Sequence, residues 1–308
     1  MQKCMICLLM GFAWLLLWGC DADDGLQSDS YVEQIAIHGY LYVDQPISAA
    51  NAIFISRTLP ILEPYDIHET AIENALVTLQ VDGSTQIDTL YHLYRDIERL
   101  IDTDPTTYQT ISLGGFYANP NITIDALTTY HLRVETEDHV LTATTTTPHP
   151  IEVVHAPKVR PEVMTYTEMM EAYPIWITCE EPSQLMLVDV FCREAWEDAA
   201  YIDPFINDNP DVNSFDEYGG VNGEPRHISA YFRLQGIIPD ENGIYDVGFY
   251  RDMVVFYGTY DVNIMSIDEN YYNYLYRDDP ERNGGIHGGV GVFGSADRAY
   301  FDIEIVKE

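Results

Sequence analysis

Apolar residues occupy every second position in several stretches of the chain, which is the pattern of β-strands with one face in a core. The run 140–147 is rich in threonine, and β-branched residues favour strands. Several short, antiparallel-looking strands over about a hundred residues predict an immunoglobulin-like β-sandwich over residues 32–147. The inward positions of its strands are Ile35, Ile37, Leu41, Val43, Ile53, Ile55, Ala75, Val77, Leu79, Val81, Tyr130, Leu132 and Val134.

A different period appears within this region, over residues 90–101. There Leu93, Ile97 and Leu100 fall on one helical stripe, and Ile101 lies beside them. We therefore predict a short helix or an irregular crossover inside the sandwich.

Prolines are concentrated after the sandwich, at positions 148, 150, 157 and 161. Proline fixes its own φ and cannot donate a ladder hydrogen bond, so residues 148–161 are predicted to form an extended, Pro-rich connection between two domains. The alternative is an edge strand with prolines at its ends.

The second half, residues 162–308, is predicted to be a β-rich C-terminal domain with one short capped helix. Ser266 and Glu269 have the spacing of a capping box, in which each side chain satisfies a backbone N–H group of the other residue. The helix is expected to stop near Asp279 and Pro280. Strands are predicted at 174–179, 185–193, 228–236, 245–265 and 299–306.

The N-terminal segment has the order of a secretory signal. Lys3 precedes an apolar run over residues 5–18, and Gly19 closes the segment. A spanning helix needs about 20 apolar residues, so the run is short for one. We predict a signal peptide over residues 1–19; the alternatives are a weak transmembrane anchor and a plain secretory peptide.

The ending Leu17-Trp18-Gly19-Cys20 resembles the lipobox of bacterial lipoproteins, which implies cleavage before Cys20 and lipid attachment to its thiol. Trp18 departs from the small residue usual at its position. The acidic run Asp21–Asp24 resembles the export tag of surface lipoproteins from Bacteroidota-type bacteria. Residues 20–31 are predicted to be a flexible lipid tether.

The chain is strongly acidic, with 50 Asp and Glu against 15 Lys and Arg and a formal charge of -35. This charge repels nucleic acid and anionic headgroups, so no nucleic-acid partner is expected. The surface is interpreted as solubilising, with divalent-cation binding as the alternative. A hydrophobic content of 46% and an aromatic content of 12% exclude a disordered chain.

A long acidic loop, residues 197–226, contains the best calcium candidates. Asn209, Asp211 and Asn213 alternate as in an EF-hand, but the glycine and the bidentate glutamate that this loop requires are missing. Weak candidates for another geometry are Asp208, Asp211, Asp216 and Glu217; a solvated loop is the alternative.

Catalytic signatures are weak. Gly289–Gly294 matches the letters GxGxxG, but no helix can follow it at the end of the chain, so we interpret it as a glycine-rich turn with close backbone packing. Neither HExxH nor GxSxG occurs. No catalytic residue is therefore assigned, although a pair of hydrolase carboxylates cannot be recognised from sequence spacing.

Two cysteines, Cys179 and Cys192, remain beyond the lipid site. Exported proteins often form disulfides. If the apolar runs that carry these cysteines pair through the turn at 181–183, the thiols lie several rows apart, and a cross-link needs Cα atoms within about 7 Å. A disulfide and two buried thiols both stay open.

Tyrosine is abundant, with 23 residues. Tyr271, Tyr272, Tyr274 and Tyr276 cluster on the predicted helix and are weak candidates for binding a glycan or peptide ligand, because exposed aromatic rings stack on sugars or fill pockets of a partner. The alternative is a set of half-buried core residues.

The lipobox and several further segments together resemble an uncharacterised family of Bacteroidota-type outer-membrane lipoproteins, over nearly the whole mature chain. The segments are Gly39-Tyr40-Leu41, Ser56-Arg57-Thr58-Leu59-Pro60, Thr129-Tyr130-His131-Leu132-Arg133-Val134, 265–274 and 288–294. The resemblance implies an outer-membrane location and association with a TonB-dependent transporter. It brings no catalytic residues.

The expected function is that of a non-enzymatic binding or accessory component, lipid-anchored at the outer membrane and serving nutrient uptake. No cofactor is expected, and calcium is the alternative. One alternative is a structural or adhesive surface module stabilised by calcium, which a melting temperature that rises with calcium would support. The other alternative is a carboxylate-dependent hydrolase.

Overall fold

The computed structural model describes residues 31–60, 67–101, 104–194, 200–202, 227–277 and 284–307. Within these ranges the protein is mainly β and sandwich-like, with few short helices, as the alternating pattern predicts. The inward positions named in the first half are buried, except Ala75 and Val81, which are partly buried against the core, and this confirms the period-two pattern.

The strands run in chain order from Ile35 to Val306. They are β1 (Ile35–Tyr42), β2 (Pro46–Ile47), β3 (Ile53–Arg57), β4 (Leu76–Val81), β5 (Asp88–Ile101), β6 (Asp104–Thr123), β7 (Thr129–Glu135), β8 (Val140–Thr146), β9 (Ile151–His155), β10 (Glu162–Thr165), β11 (Trp176–Cys179), β12 (Leu185–Cys192), β13 (Ala200–Tyr201), β14 (His227–Arg233), β15 (Tyr245–Asp246), β16 (Phe256–Ile267), β17 (Ile286–His287) and β18 (Val290–Val306).

Among the described residues, the strands are accompanied by three short α-helices, α1 (Ile67–Thr70), α2 (Tyr166–Ala172) and α3 (Glu269–Tyr276). The same part of the chain has 3₁₀ segments at Ala49–Asn51, Leu234–Gly236 and Gly248–Met253.

One large sheet contains strands from both halves of the chain. Its order is β14-β12-β16-β18-β1-β3-β6-β5-β4-β7-β8-β17. Three further strands pair with members of this order: β2 with β6, β10 with β18 and β13 with β16. β18 lies near the middle of this order, antiparallel to β16 and parallel to β1. β1 therefore has β3 on one edge and β18, from the other end of the sequence, on its second edge. A second sheet has three strands in the order β15-β11-β9.

Two large hydrophobic cores follow from the alternation of the strands. The first joins the inward faces of β1, β3, β4, β7 and β8, and Ile286 and Phe293 from the end of the chain belong to it. The second is built mainly from β11, β12, β16 and the C-terminal part of β18, with Met169 of α2 and Tyr250 packed into it.

A third, smaller cluster lies on the opposite face of β12 and β16. Leu185 and Leu187 alternate with residues of the second core, so they point away from it, as do Met265 and Ile267 on the neighbouring strand. Tyr271, Tyr272 and Tyr276 of α3 pack against this cluster. The helix is thus held on the sheet face where a candidate site is found.

The helix or crossover predicted over residues 90–101 is wrong. β5 extends through this stretch and pairs with β6, for example at Tyr91 with Ala118 and at Glu98 with Thr110. A long hairpin satisfies the backbone groups of both strands, and this tertiary pairing overrides a weak helical period.

The predicted capped helix exists, but its cap is Asp268 and not Ser266. Asp268 accepts a hydrogen bond from the backbone N–H of Tyr271, whereas Ser266 is buried in β16 and donates to the carbonyl oxygen of His149. α2 was not predicted. It has the capping box that the sequence offers at Thr165 and Glu168.

Three other boundaries differ from the prediction. The stretch 245–265 is divided by the 3₁₀ segment into β15 and β16, and the glycine-rich segment lies within β18 instead of a turn. The Pro-rich connection contains β9, the edge strand that was the alternative. The division into domains at 148–161 stays a prediction.

Cys179 and Cys192 do not form a disulfide. The hairpin assumed between their strands does not form, because β11 belongs to the three-stranded sheet and β12 to the large one. Burial raises the pKa of the Cys179 thiol.

Candidate functional site

The four tyrosines predicted as ligand contacts do not form one surface. Tyr271 faces the sheet, where its ring contacts that of Tyr40 at 4.5 Å in an edge-on arrangement, and burial raises its pKa. Tyr274 points elsewhere, and its hydroxyl lies 3.0 Å from Nε2 of His38. We therefore assign Tyr271 and Tyr274 to packing.

Tyr272 and Tyr276 combine with Tyr231 of β14 to form what we call the tyrosine cluster. The centroid of the Tyr231 ring lies 4.9 Å from each of the other two rings, which stack on each other at 5.7 Å. Tyr231 is 49% exposed. Burial raises the pKa of Tyr276 to about 12, so its hydroxyl stays protonated at neutral pH. The cluster presents aromatic surface to solvent.

Two arginines flank this cluster. The guanidinium of Arg277 lies 5.7 Å from the centroid of the Tyr272 ring, and Arg233 follows Tyr231 by two residues on β14. The hydrogen bond with Tyr231 raises the pKa of Tyr272, and the positive charges of Arg277 and Arg233 oppose that rise. Both guanidinium groups thus favour the ionised form of the Tyr272 hydroxyl electrostatically.

An open cleft of about 550 Å³ begins at Arg233; we call it the junction cleft. It lies where the end of β8 and the residues after it meet the beginnings of β12 and α3. Its mixed polar and apolar lining suits a small polar ligand. The lining residues are Leu127, Thr144, Thr145, Thr146, Thr147, Pro148, His149, Ser183, Gln184, Leu185, Arg233, Ile267, Asp268, Glu269 and Asn270.

Asp268 anchors one wall of the junction cleft. Thr145 Oγ1 donates to its Oδ2 at 2.6 Å, and the backbone N–H groups of Tyr271 and Ser295 donate to its Oδ1 at 2.9 and 3.1 Å. Burial raises the pKa of this carboxyl to about 6, although these hydrogen bonds oppose the rise. One side chain thus links β8, β18 and α3.

Polar side chains continue the same sheet face beyond the tyrosine cluster. Asp189 accepts hydrogen bonds from Ser229, at 2.6 Å, and from Nε2 of His227. Because Ser229 donates to the carboxylate and lies 3.4 Å from the imidazole, its hydroxyl is not arranged as a base-activated nucleophile. Arg193 nearby pairs with Asp261, so this charge is already compensated within the protein.

The calcium candidates Asp208, Asp211, Asp216 and Glu217 lie outside the described residues. Within the residues that the structure covers, no three His, Cys, Asp or Glu side chains are grouped as a metal would require. Among the same residues, no helix is both long and apolar enough to cross a membrane.

The sequence indicated two members of the tyrosine cluster and missed Tyr231, Arg233 and the junction cleft. Residues at every second position of His227–Arg233 lie on the same face of a strand, so the sequence could have placed Tyr231 and Arg233 on one face. Which strand and helix lie beside that face depends on the sheet order, which no local pattern encodes.

Comparison with known families gives one result that covers most of the chain. A family model described as a domain of unknown function (DUF4249) matches residues 26–299. None of the curated proteins matches the chain.

Proposed function

Because the chain belongs to the DUF4249 family, whose function is unknown, we propose its function from its own residues: it is a non-enzymatic binding protein that holds a glycan. The ligand stacks on the tyrosine cluster and extends into the junction cleft. The observation that carries this proposal is the exposed ring of Tyr231, which is edge-on to the Tyr272 ring and tilted to the Tyr276 ring, two residues from Arg233 in the lining of the junction cleft.

The chemistry of both surfaces supports a sugar ligand. Rigid aromatic rings offer a flat apolar face for one side of a pyranose ring. Threonines, Gln184 and Asn270 in the lining of the junction cleft are residue types that both donate and accept hydrogen bonds, as sugar hydroxyls do. Hydrogen bonds to backbone groups already orient the two amides. A carboxylate-dependent hydrolase and a calcium-stabilised adhesive module have no comparable support among the described residues.

The proposed location is the outer membrane, with the lipid on Cys20 as the anchor. Each buried methylene of an acyl chain contributes about 0.8 kcal/mol, so several chains hold a protein that one chain would release. We further propose that the protein serves a TonB-dependent transporter in nutrient uptake. Identification of the proteins that co-purify from intact membranes tests this; the absence of any transporter would contradict it.

The glycan proposal is tested by Tyr231→Ala, measured on an oligosaccharide array and by calorimetry. Removal of a central aromatic contact is expected to weaken binding at least about tenfold, which corresponds to about 1.4 kcal/mol. Tyr91→Ala is the matched control, because Tyr91 is also an exposed tyrosine, at 63%, but lies on β5. Equal binding by both variants, or no binding by the unaltered protein, would refute the proposal.

A further inference from the structure

Arg233 lacks the carboxylate partner that three exposed arginines of this acidic protein have. Arg57, Arg133 and Arg193 each contact a carboxylate, on Glu33, Glu135 and Asp261 respectively. Within the described part of the chain, Arg233 forms no such ion pair and donates only to the backbone carbonyl oxygen of Ser183.

Among the described residues, Arg160, Arg251 and Arg298 also donate to carbonyl or amide oxygens and form no ion pair, so Arg233 is distinguished by its position beside the tyrosine cluster. The side chain is exposed, and a guanidinium has five N–H donors, of which the carbonyl of Ser183 takes one. Donors therefore remain in the planar fork that matches a carboxylate. Arg233 also lines the junction cleft, and its positive charge acts on Tyr272 of the tyrosine cluster.

We propose that the glycan bound at this site is acidic, and that Arg233 binds the carboxylate of a uronate-type or sialate-type sugar. This inference rests on the proposed function and names its ligand class. The sugar ring stacks on Tyr231, whose position two residues before Arg233 places both side chains on the same face of β14. Arg277, over the Tyr272 ring, adds positive charge at the same edge.

The surrounding charges restrict how such a ligand binds. Asp268 and Glu269 also line the junction cleft and disfavour a carboxylate placed beside them, so the ligand's charge faces the Arg233 end. The net charge of -35 opposes a long polyanion. At physiological salt the Debye length is about 8 Å, so a direct contact with one guanidinium outweighs more distant repulsion. Short oligosaccharides with one carboxylate are therefore favoured.

The test compares each acidic oligosaccharide that binds with its methyl ester, which keeps the sugar and removes the charge. The probes are short oligosaccharides carrying one galacturonate, glucuronate or sialate residue, titrated into the full-length mature protein. The acid is expected to bind at least about tenfold more tightly than its ester, because a charge-assisted hydrogen bond is lost in the ester. Arg233→Gln is expected to abolish this preference.

Arg233→Lys distinguishes the fork from the charge, and it is expected to keep an intermediate preference. Arg57→Gln is the control, because it removes an exposed arginine that is already paired on β3. Equal melting temperatures establish that the variants fold. Glycan binding without acid preference, or a preference that survives Arg233→Gln, would overturn this inference and leave the proposed function standing. Failure to bind any glycan would overturn both.

Discussion

At the scale of single residues, Asp268 carries the most consequential chemistry in the described structure. Its carboxylate caps α3 and accepts from Thr145, so it connects the helix of the tyrosine cluster with the first half of the chain. Burial nevertheless disfavours its charged form and raises its pKa to about 6. The residue therefore stabilises the local geometry while its ionisation costs free energy.

This raised pKa determines how stability depends on pH. The unfolded carboxyl has a pKa of about 3.9, so between about pH 4 and pH 6 the native state keeps a proton that the unfolded state loses. The contribution of Asp268 to stability is therefore greatest below about pH 4 and decreases as the pH rises through its folded pKa. The change between pH 5 and pH 8 is about 1 to 2 kcal/mol.

We expect Asp268→Asn to remove this pH dependence, because an amide is uncharged and its oxygen can still accept from the two backbone N–H groups. Denaturant unfolding at pH 5 and pH 8 measures the effect. Relative to the unaltered protein, the variant should gain about 1 to 2 kcal/mol between pH 5 and pH 8. Asp138→Asn, in the exposed β7–β8 turn, should not. The same pH profile for both variants would contradict the assignment.

At the scale of secondary structure, the contact between β1 and β18 depends on a glycine. Gly291 has a φ of +104°, and a Cβ placed there would lie 2.1 Å from the carbonyl oxygen of Ile37. No side chain fits without displacing the backbone of a neighbouring strand. The prediction of close backbone packing in this segment is thus correct, although the segment is part of a strand.

Gly291→Ala is expected to destabilise the protein by at least about 2 kcal/mol, from the backbone strain and the steric clash together. Gly236→Ala serves as the matched control, because a Cβ there meets nothing within 4 Å and its φ is not in the left-handed region. Thermal and denaturant unfolding measure both variants. A loss at Gly236→Ala as large as that at Gly291→Ala would refute the explanation.

The success of sequence-based prediction at this scale depended on whether the signal was local. Strands such as β1 and β7 were recognised because one face is buried along their whole length. β5 was mistaken for a helix because what holds it is its pairing with β6, a contact absent from its own periodicity. The cap of α3 was predicted two residues too early, because Ser266 still belongs to β16, where its hydroxyl donates to the carbonyl oxygen of His149.

The candidate site was only partly predictable for the same reason. Tyr272 and Tyr276 are close in sequence and were recognised together. Tyr231 and Arg233 lie beside them only because β12 pairs with both β14 and β16, and α3 follows β16. Tyr271, recognised with the other two, is a packing residue because its ring lies against the Tyr40 ring of β1, whereas the rings of Tyr272 and Tyr276 contact Tyr231.

At the scale of the whole molecule, both halves of the chain contribute strands to the large sheet and residues to the first core. β1 pairs with β18 from Ala36 to Tyr42, and Phe293 is completely buried in the first core. A fragment of residues 31–147 lacks both contributions. Loss of a buried phenylalanine alone costs about 3 to 5 kcal/mol, a large part of the 5 to 15 kcal/mol typical of a domain.

We therefore expect residues 31–147, produced alone, to show no cooperative thermal transition, or one far below that of the full chain. Circular dichroism melting compares the two, and hydrogen exchange of the β1 amides reports the missing neighbour. A fragment that melts as the full chain does would instead support an independent domain ending before the Pro-rich connection.

The parallel pairing of β1 with β18 also affects how the protein is made. Synthesis proceeds from the N-terminus, so β1 emerges long before the partner that covers one of its edges. During that interval its backbone groups on that edge are available for pairing with other chains. We infer that the nascent polypeptide depends on a holding chaperone until β18 has been released, and that premature termination near the C-terminus leaves an aggregation-prone product.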